Sequence, residues 1–355
     1  MDPTTGMTAN PVLGILLYVL GGAAGASFYL PFKRVRSWAW ESYWMIYCIF
    51  GLIVVPWVLA FTVSPNVIAV LMATPAGTLL KCCVFGAMWG VGGLTWGLMI
   101  RYLGVGLGLA IGCGLCAAAG TLIPPVVRGE LALLAASGSG IATLAGVAVS
   151  LAGIVVVGAA GMSKENELPD EKKKAAVAEF NFRKGLLVAV FSGIMSAGMA
   201  FGLGGGASIE EKALQTAPAT SAAWKGMPVL VVVLLGGFVV NFAWCLYLNL
   251  KNRTGGDYAR RGVPLLANHA CSAFAGAIWC SQFIFFKVAD TQIGPYAYAG
   301  WTVLMSSAIL FSSLLGVVLG EWRGVSKRTQ KLLAAGLATL VVSLVIIGYG
   351  NYLKG

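Results

Sequence analysis

The chain has 355 residues, of which 58% are apolar and only 10% charged, and its mean hydropathy is +0.84. Soluble domains carry about 25% charged residues, so the composition excludes a soluble globular protein and specifies an all-α integral membrane protein. The net charge of +11 does not point to nucleic acid, because the basic residues lie in short gaps between apolar runs, and a single histidine beside eight cysteines within those runs makes no metal set.

A membrane-spanning helix needs about 20 mostly apolar residues. Ten such stretches follow one another, at 11–32, 42–63, 80–101, 103–127, 138–161, 184–206, 226–250, 263–287, 294–319 and 331–353. No Lys or Arg precedes the first, and Lys33, Arg34 and Arg36 follow it. A secretory signal has the reverse order, so this stretch reads as a retained span. The third and fourth are laced with small residues, Gly86, Gly90, Gly93 and Gly97, then Gly104, Gly108 and Gly112, around a joint at Arg101-Tyr102-Leu103-Gly104. Such spacing lets helix backbones touch in lipid. The run Gly202 to Gly206 closes the sixth span; no Lys-Ser/Thr follows it, so it reads as close packing rather than a phosphate loop.

The only long, strongly charged connector, 162–183, includes Lys172, Lys173 and Lys174 and is expected to be a cytoplasmic linker. It divides the chain into two five-span units, 1–161 and 184–355. Most of the 24 Lys and Arg fall after the odd-numbered spans. The positive-inside rule then predicts that those gaps are cytoplasmic and both termini periplasmic.

The two units share features in the same order. Val126-Val127-Arg128-Gly129-Glu130 closes the fourth span and Val317-Val318-Leu319-Gly320-Glu321 closes the ninth. Each is followed by a span with glycines twelve apart, Gly146 and Gly158, then Gly336 and Gly348. Five spans is an odd number, so the second copy is expected to enter the membrane upside down. Inverted repeats of this kind are a transporter architecture.

Several blocks carry a resemblance: Ser27-Phe28-Tyr29-x-Pro31-Phe32-Lys33, Trp38-x-Trp40-Glu41, Phe85-Gly86-Ala87-Met88-Trp89-Gly90 and the Arg101 to Gly104 joint. Later ones are Gly120-Thr121-Leu122-x-Pro124, Ala178-Glu179-Phe180-Asn181, Ser196-Ala197-Gly198-Met199, Asn268, Trp279-x-x-Gln282-Phe283 and Glu321-Trp322. Together they resemble the L-rhamnose–proton symporter family of the drug/metabolite transporter superfamily. That resemblance implies proton-driven uptake of a 6-deoxyhexose across a bacterial inner membrane, with the proton gradient as energy source and no cofactor, nucleic acid or obligatory protein partner. The chain departs from the family pattern where asparagines are expected: Gly92, Gly93 and Thr95 stand in one such place and Gly204-Gly205-Gly206 in the other.

A neutral sugar needs a few placed hydrogen-bonding groups and a flat apolar surface for its C–H face. Gln282 lies one helical turn from Trp279, so both side chains share a face. Asn241 offers a second amide, and Trp89 and Tyr298 offer further stacking surfaces. The alternatives are an amide spent on a neighbouring helix and aromatics belonging to an interfacial belt. Proton coupling needs a titratable group within reach of the pathway. The candidates are His269, Glu41, Asp290 and Glu321, against roles as a structural histidine, as an ion pair of Glu41 with Lys33, Arg34 and Arg36, and as surface caps. Rival readings are a uniporter or exporter of another metabolite in the same fold, and a membrane-bound sugar transferase. The transferase is disfavoured by the lone histidine and the lack of an acid pair at catalytic spacing.

Overall fold

A computed structural model describes residues 10–103, 105–167, 181–293, 299–320 and 322–353. Among them there is no β-strand, and nine helical stretches are long and apolar enough to cross a membrane. The first is α1 (Pro11–Ser27), which the chain enters through Asn10, whose side chain accepts from the Leu13 N–H as an N-cap.

The second expected span is a composite of α2 (Trp40–Cys48), a π-helical turn at Ile49–Val54 and α3 (Val55–Val63). Pro56 has no N–H to donate and would clash with the carbonyl one turn earlier, and the wider π turn relieves both problems. A short helix, α4 (Val67–Ala73), leads to α5 (Ala76–Leu103). The joint expected after it falls where α5 ends and α6 (Val105–Val127) begins; Gly104 itself lies outside the described residues. The apolar part of α6 is described from Ile111 to Val127. After α7 (Leu131–Ala135) comes α8 (Gly138–Asn166), which carries helix into the expected linker. Residues 168–180 of that linker lie outside the described residues.

In the second unit the sixth span is broken into α9 (Phe182–Ser196), α10 (Gly198–Gly204) and α11 (Ala207–Gln215), so helix continues past the expected end at 206. Next are α12 (Met227–Asn252), α13 (Leu265–Ile293), α14 (Gly300–Val318) and α15 (Lys327–Tyr352). α13 outruns the expected boundary at 287 by six residues, carrying Lys287 and Asp290 within the helix, where they pair with each other. α14 starts at Gly300 rather than 294, and residues 294–298 lie outside the described residues.

The matching pentapeptides at the ends of α6 and α14 fold alike. Gly129 and Gly320 take φ of +71° and +76°, the left-handed conformation that ends helices and favours glycine. Arg128 N–H bonds Pro124 O as Leu319 N–H bonds Leu315 O, and Gly129 N–H bonds Val126 O as Gly320 N–H bonds Val317 O.

Helix pairing places the interior. α1 packs on α13 and α14, and α9 packs on α5 and α6. α5 crosses α12, and α2 with its π turn crosses α13. Both crossings are built on glycines. A Cβ on Gly86 would overlap the Val233 carbonyl and one on Gly236 the Cys83 carbonyl; Gly51 and Gly276 stand against each other in the same way. α8 and α15 run antiparallel along their length, with Gly146 against Ile347, Gly153 against Leu340 and Gly336 against Val157. One glycine of each pair noted in the fifth and tenth spans, Gly146 and Gly336, therefore lines this seam, whereas Gly348 faces Ile15 of α1.

A candidate sugar site at the helix crossings

Just beyond the glycine crossings two tryptophans meet. Trp89 of α5 stacks on Trp279 of α13, ring centroids 5.0 Å apart and planes at 29°. Glycine makes the approach possible: a Cβ on Gly237 of α12 would lie 2.5 Å from the Trp89 ring. Trp279 is in turn edged by Tyr47 at 5.9 Å and by Phe283 at 4.9 Å. Aromatic contacts continue through Trp44 to Tyr29 on one side, and through Trp301 and Phe286 to Tyr18 on the other.

Gln282 sits one turn from Trp279 and is buried. Its Nε2 donates to the Trp279 carbonyl at 3.0 Å. Among the described residues its Oε1 accepts no hydrogen bond; it lies beside Gly25 of α1, where a Cβ would come within 2.6 Å of it. Asn241 is fully engaged at both ends of its amide. Nδ2 donates to the Gly237 carbonyl at 2.9 Å, and Oδ1 accepts from the Trp44 indole N–H at 3.1 Å. Its chemistry is to hold Trp44, leaving Gln282 with the free acceptor.

Past Trp89 the surroundings of α5 open. A Cβ on Gly93 or Gly97 would meet nothing within 4 Å, although Gly86 and Gly90 are tightly packed against α12. On the helical wheel Gly93 lies about 40° from Trp89 and about 60° from Trp96, away from the exposed stripe of Leu80, Val84 and Leu98. The open space therefore adjoins the tryptophan pair on the interior side of α5. Nearby hydroxyls are paired, Thr95 with Ser192 at 2.6 Å and the Trp96 N–H with Ser196 at 2.8 Å.

Two turns toward the other end of α13 lies a network of charges. The Lys287 ammonium is 2.6 Å from Glu210 Oε1 of α11 and 3.1 Å from Asp290 Oδ2. Tyr18 of α1 donates to Asp290 Oδ1 at 2.7 Å, and Lys225, just before α12, stands 3.6 Å from Glu210 Oε2. Asp290 is thus no surface cap; it is gripped from two sides within the helix bundle.

The other candidates are placed elsewhere or not at all. His269 lies in the first turns of α13, its Nδ1 within 2.8 Å of the Leu265 carbonyl and its ring against the edge of Trp38. At 1.5 Å per residue it stands about 20 Å along the helix from Gln282. Glu41 forms no ion pair with Lys33, Arg34 or Arg36; its Oε1 accepts instead from Asn252 Nδ2 and Thr254 Oγ1, both at 2.9 Å. The loop before it is held by Asn268, which accepts from the Arg36 N–H and donates to the Arg36 carbonyl, and by Asp257, which accepts from the Ala39 N–H. Tyr298 and Glu321 lie outside the described residues.

Sequence reasoning missed Trp44, Tyr47, Tyr18, Glu210 and Lys287. It also missed a legible signal, the recurrence of Gly-Ala-x-Trp at Gly86 to Trp89 and at Gly276 to Trp279. The two stacked tryptophans occupy the same place in that motif, each one turn beyond a crossing glycine.

Comparison with known proteins adds a family. The model of the family described as the L-rhamnose-proton symport protein matches residues 7–352. An L-rhamnose-proton symporter of Cronobacter sakazakii is 34% identical over 342 residues, covering 95% of this chain and 97% of that protein. One from Klebsiella pneumoniae is equally similar over the same lengths, and one from Yersinia pestis is 33% identical over 343 residues, 96% and 98% of the two chains.

Proposed function

The chain belongs to the L-rhamnose-proton symport protein family, and from that premise we propose that it takes up L-rhamnose, or a closely related 6-deoxyhexose, together with protons by alternating access. It is a multi-pass membrane transporter of a family that carries its substrate rather than transforming it. In this reading ten spans form two inverted five-helix units in a bacterial inner membrane, with both termini in the periplasm.

The observation that carries the site is the stacked pair Trp89 and Trp279, contributed by different units and flanked by the free Oε1 of Gln282. A 6-deoxyhexose presents a C–H face and a methyl group to an indole and hydroxyls to an amide. Trp44, held by Asn241, and Tyr47 extend the aromatic wall. The Gly93 and Gly97 opening supplies the space a sugar needs next to the pair.

The pairing of helices supports the inverted arrangement. The relation of α1 to α13 and α14 is repeated by α9 with α5 and α6, and the α2–α13 crossing is repeated by α5 with α12. The antiparallel α8–α15 seam is what an upside-down second copy requires. Binding of sugar and proton would bias states that already interconvert, one bundle rocking against the other.

The test is uptake of labelled L-rhamnose by vesicles carrying the protein, with and without a protonophore. Accumulation that collapses with the protonophore, and that other 6-deoxyhexoses compete for better than hexoses do, is the expected result. Uptake undiminished by the protonophore refutes the coupling and leaves a uniporter; efflux alone would make the protein an exporter.

A further inference from the structure

Ionisable groups inside a membrane protein are expensive to hold and tend to face one another or a pathway. The network at the end of α13 is such an investment. Lys287 has a side chain only 6% exposed, Glu210 17% and Asp290 20%. Its members come from four parts of the chain: Tyr18 from α1, Glu210 from α11, Lys225 from the turn before α12, and Lys287 with Asp290 from α13. Two carboxylates and two ammonium groups balance, so the network is neutral when every member is ionised.

The connections are not equivalent. Lys287 to Asp290 is a contact within one helix, and Glu210 to Lys225 joins neighbouring parts of the second unit. Lys287 to Glu210 is the link that ties α13 to α11 at this end of the bundle. One ammonium is therefore contested by two carboxylates, one that keeps it on its own helix and one that draws it across the gap.

We propose that Asp290 is the proton-coupling carboxylate, and that it acts by competing with Glu210 for Lys287 at the end of the bundle that bears the N-terminus of α1. This rests on the proton-coupled reading above and on the orientation that puts that end outside. A proton arriving from the outer water adds to a carboxylate oxygen of Asp290 and removes its charge. Lys287 then belongs to Glu210 alone and the outer end closes. With the outer end closed, the proton leaves Asp290 toward the cytoplasmic side; the recharged carboxylate again competes for Lys287 and weakens the closure once sugar has left. The sign is that of a symporter: the loaded carrier closes toward the outside, the empty one reopens.

The experiment uses the full-length protein in proteoliposomes, measuring sugar accumulation under a pH gradient and, separately, sugar exchange with no gradient. A one-unit pH gradient supports about a tenfold sugar gradient per proton. Asp290→Asn, held in the uncharged state that favours closure, is expected to bring internal and external sugar to a ratio near one under that gradient, with exchange slower than the wild type's and no longer dependent on pH. Glu210→Gln, which keeps Asp290 titratable but removes its competitor, is expected to flatten the pH dependence of exchange. Asp290→Asn that still accumulates sugar like the wild type overturns the proposal, as does Glu210→Gln with an unchanged pH profile. Because wild-type accumulation is measured in the same vesicles, failure of proton coupling itself would show there, apart from any failure of this assignment.

Discussion

The free acceptor of Gln282 can be displaced without touching Gln282. A Cβ placed on Gly25 would lie 2.6 Å from Gln282 Oε1 and 3.3 Å from its Cδ, and its three nearest neighbours all belong to that one side chain. Ordinary contact starts near 3.4 Å, so the carboxamide must retreat by roughly 1 Å, enough to break a hydrogen bond of normal length. The obstacle is the flexible end of a side chain, so Gly25→Ala is expected to fold, with helix propensity favouring alanine by about 1 kcal/mol. A neutral hydrogen bond contributes about 1 kcal/mol, or roughly a fivefold change in affinity. Titration of purified protein with L-rhamnose, followed by tryptophan fluorescence or calorimetry, should then show Gly25→Ala and Gln282→Ala each about fivefold weaker. The two remove the same contact, so the double variant should be no weaker than either single one. Additive losses, or a Gly25→Ala protein with wild-type affinity beside a weakened Gln282→Ala, would refute the placement of the sugar against Oε1.

Two further outcomes test the scaffold around the site. Gly236→Val drives methyl groups into the Cys83 carbonyl, a backbone atom that cannot step aside; it should cost about 1–3 kcal/mol or more and lower the thermal unfolding temperature by several degrees. Gly255→Ala, where a Cβ meets nothing within 4 Å, should leave it unchanged. At the C-terminal end of α8, hydrogen bonds from the Ser326 and Thr329 hydroxyls and the Ser326 N–H hold the Glu167 carboxyl at about 2, below its ordinary 4.5. A carboxyl depressed on folding stabilises above its ordinary value and loses that contribution as pH falls from about 4.5 toward 2. Thermal unfolding compared between pH 6 and pH 3 should show a larger acid loss for wild type than for Glu167→Gln; equal losses would remove Glu167 from the account.

Much of this was legible because the relevant signals are local. Apolar runs of helical length located the spans, and Trp279 with Gln282 could be put on one face by their spacing alone. The pentapeptides ending at Glu130 and Glu321 recur because each holds a glycine in a left-handed helix stop. What escaped depends on partners far along the chain. Lys287 looks like the last charge before water until Glu210, 77 positions earlier in the chain, neutralises it, so the eighth span was ended too soon. Trp44 reads as an interfacial aromatic until Asn241 accepts its N–H. Glu41 stands near three cations in sequence, yet the fold gives it Asn252 and Thr254. The motif residues Trp38 and Asn268 likewise have distant partners: Trp38 meets the rings of Tyr258 and His269, and Asn268 bonds the backbone of Arg36.

The Gly-Ala-x-Trp register also sets the two units side by side, position by position. Aligning Gly86 with Gly276 sets Trp89 against Trp279, Gly92 against Gln282, Gly93 against Phe283 and Gly97 against Lys287. In the second unit those places are filled: Gln282, Phe283 and Lys287 are all buried, and Lys287 is clamped to Glu210. In the first unit Gly93 and Gly97 look onto open space. If the units are inverted copies and both termini lie outside, as proposed above, α13 carries its filled positions toward the outer end and α5 carries its open ones toward the cytoplasm. One end is then closed by side chains where the other is opened by their absence, which is an inward-facing arrangement. Enlarging Gly93 to asparagine would place a second amide beside Trp89 at the expense of the space the sugar occupies.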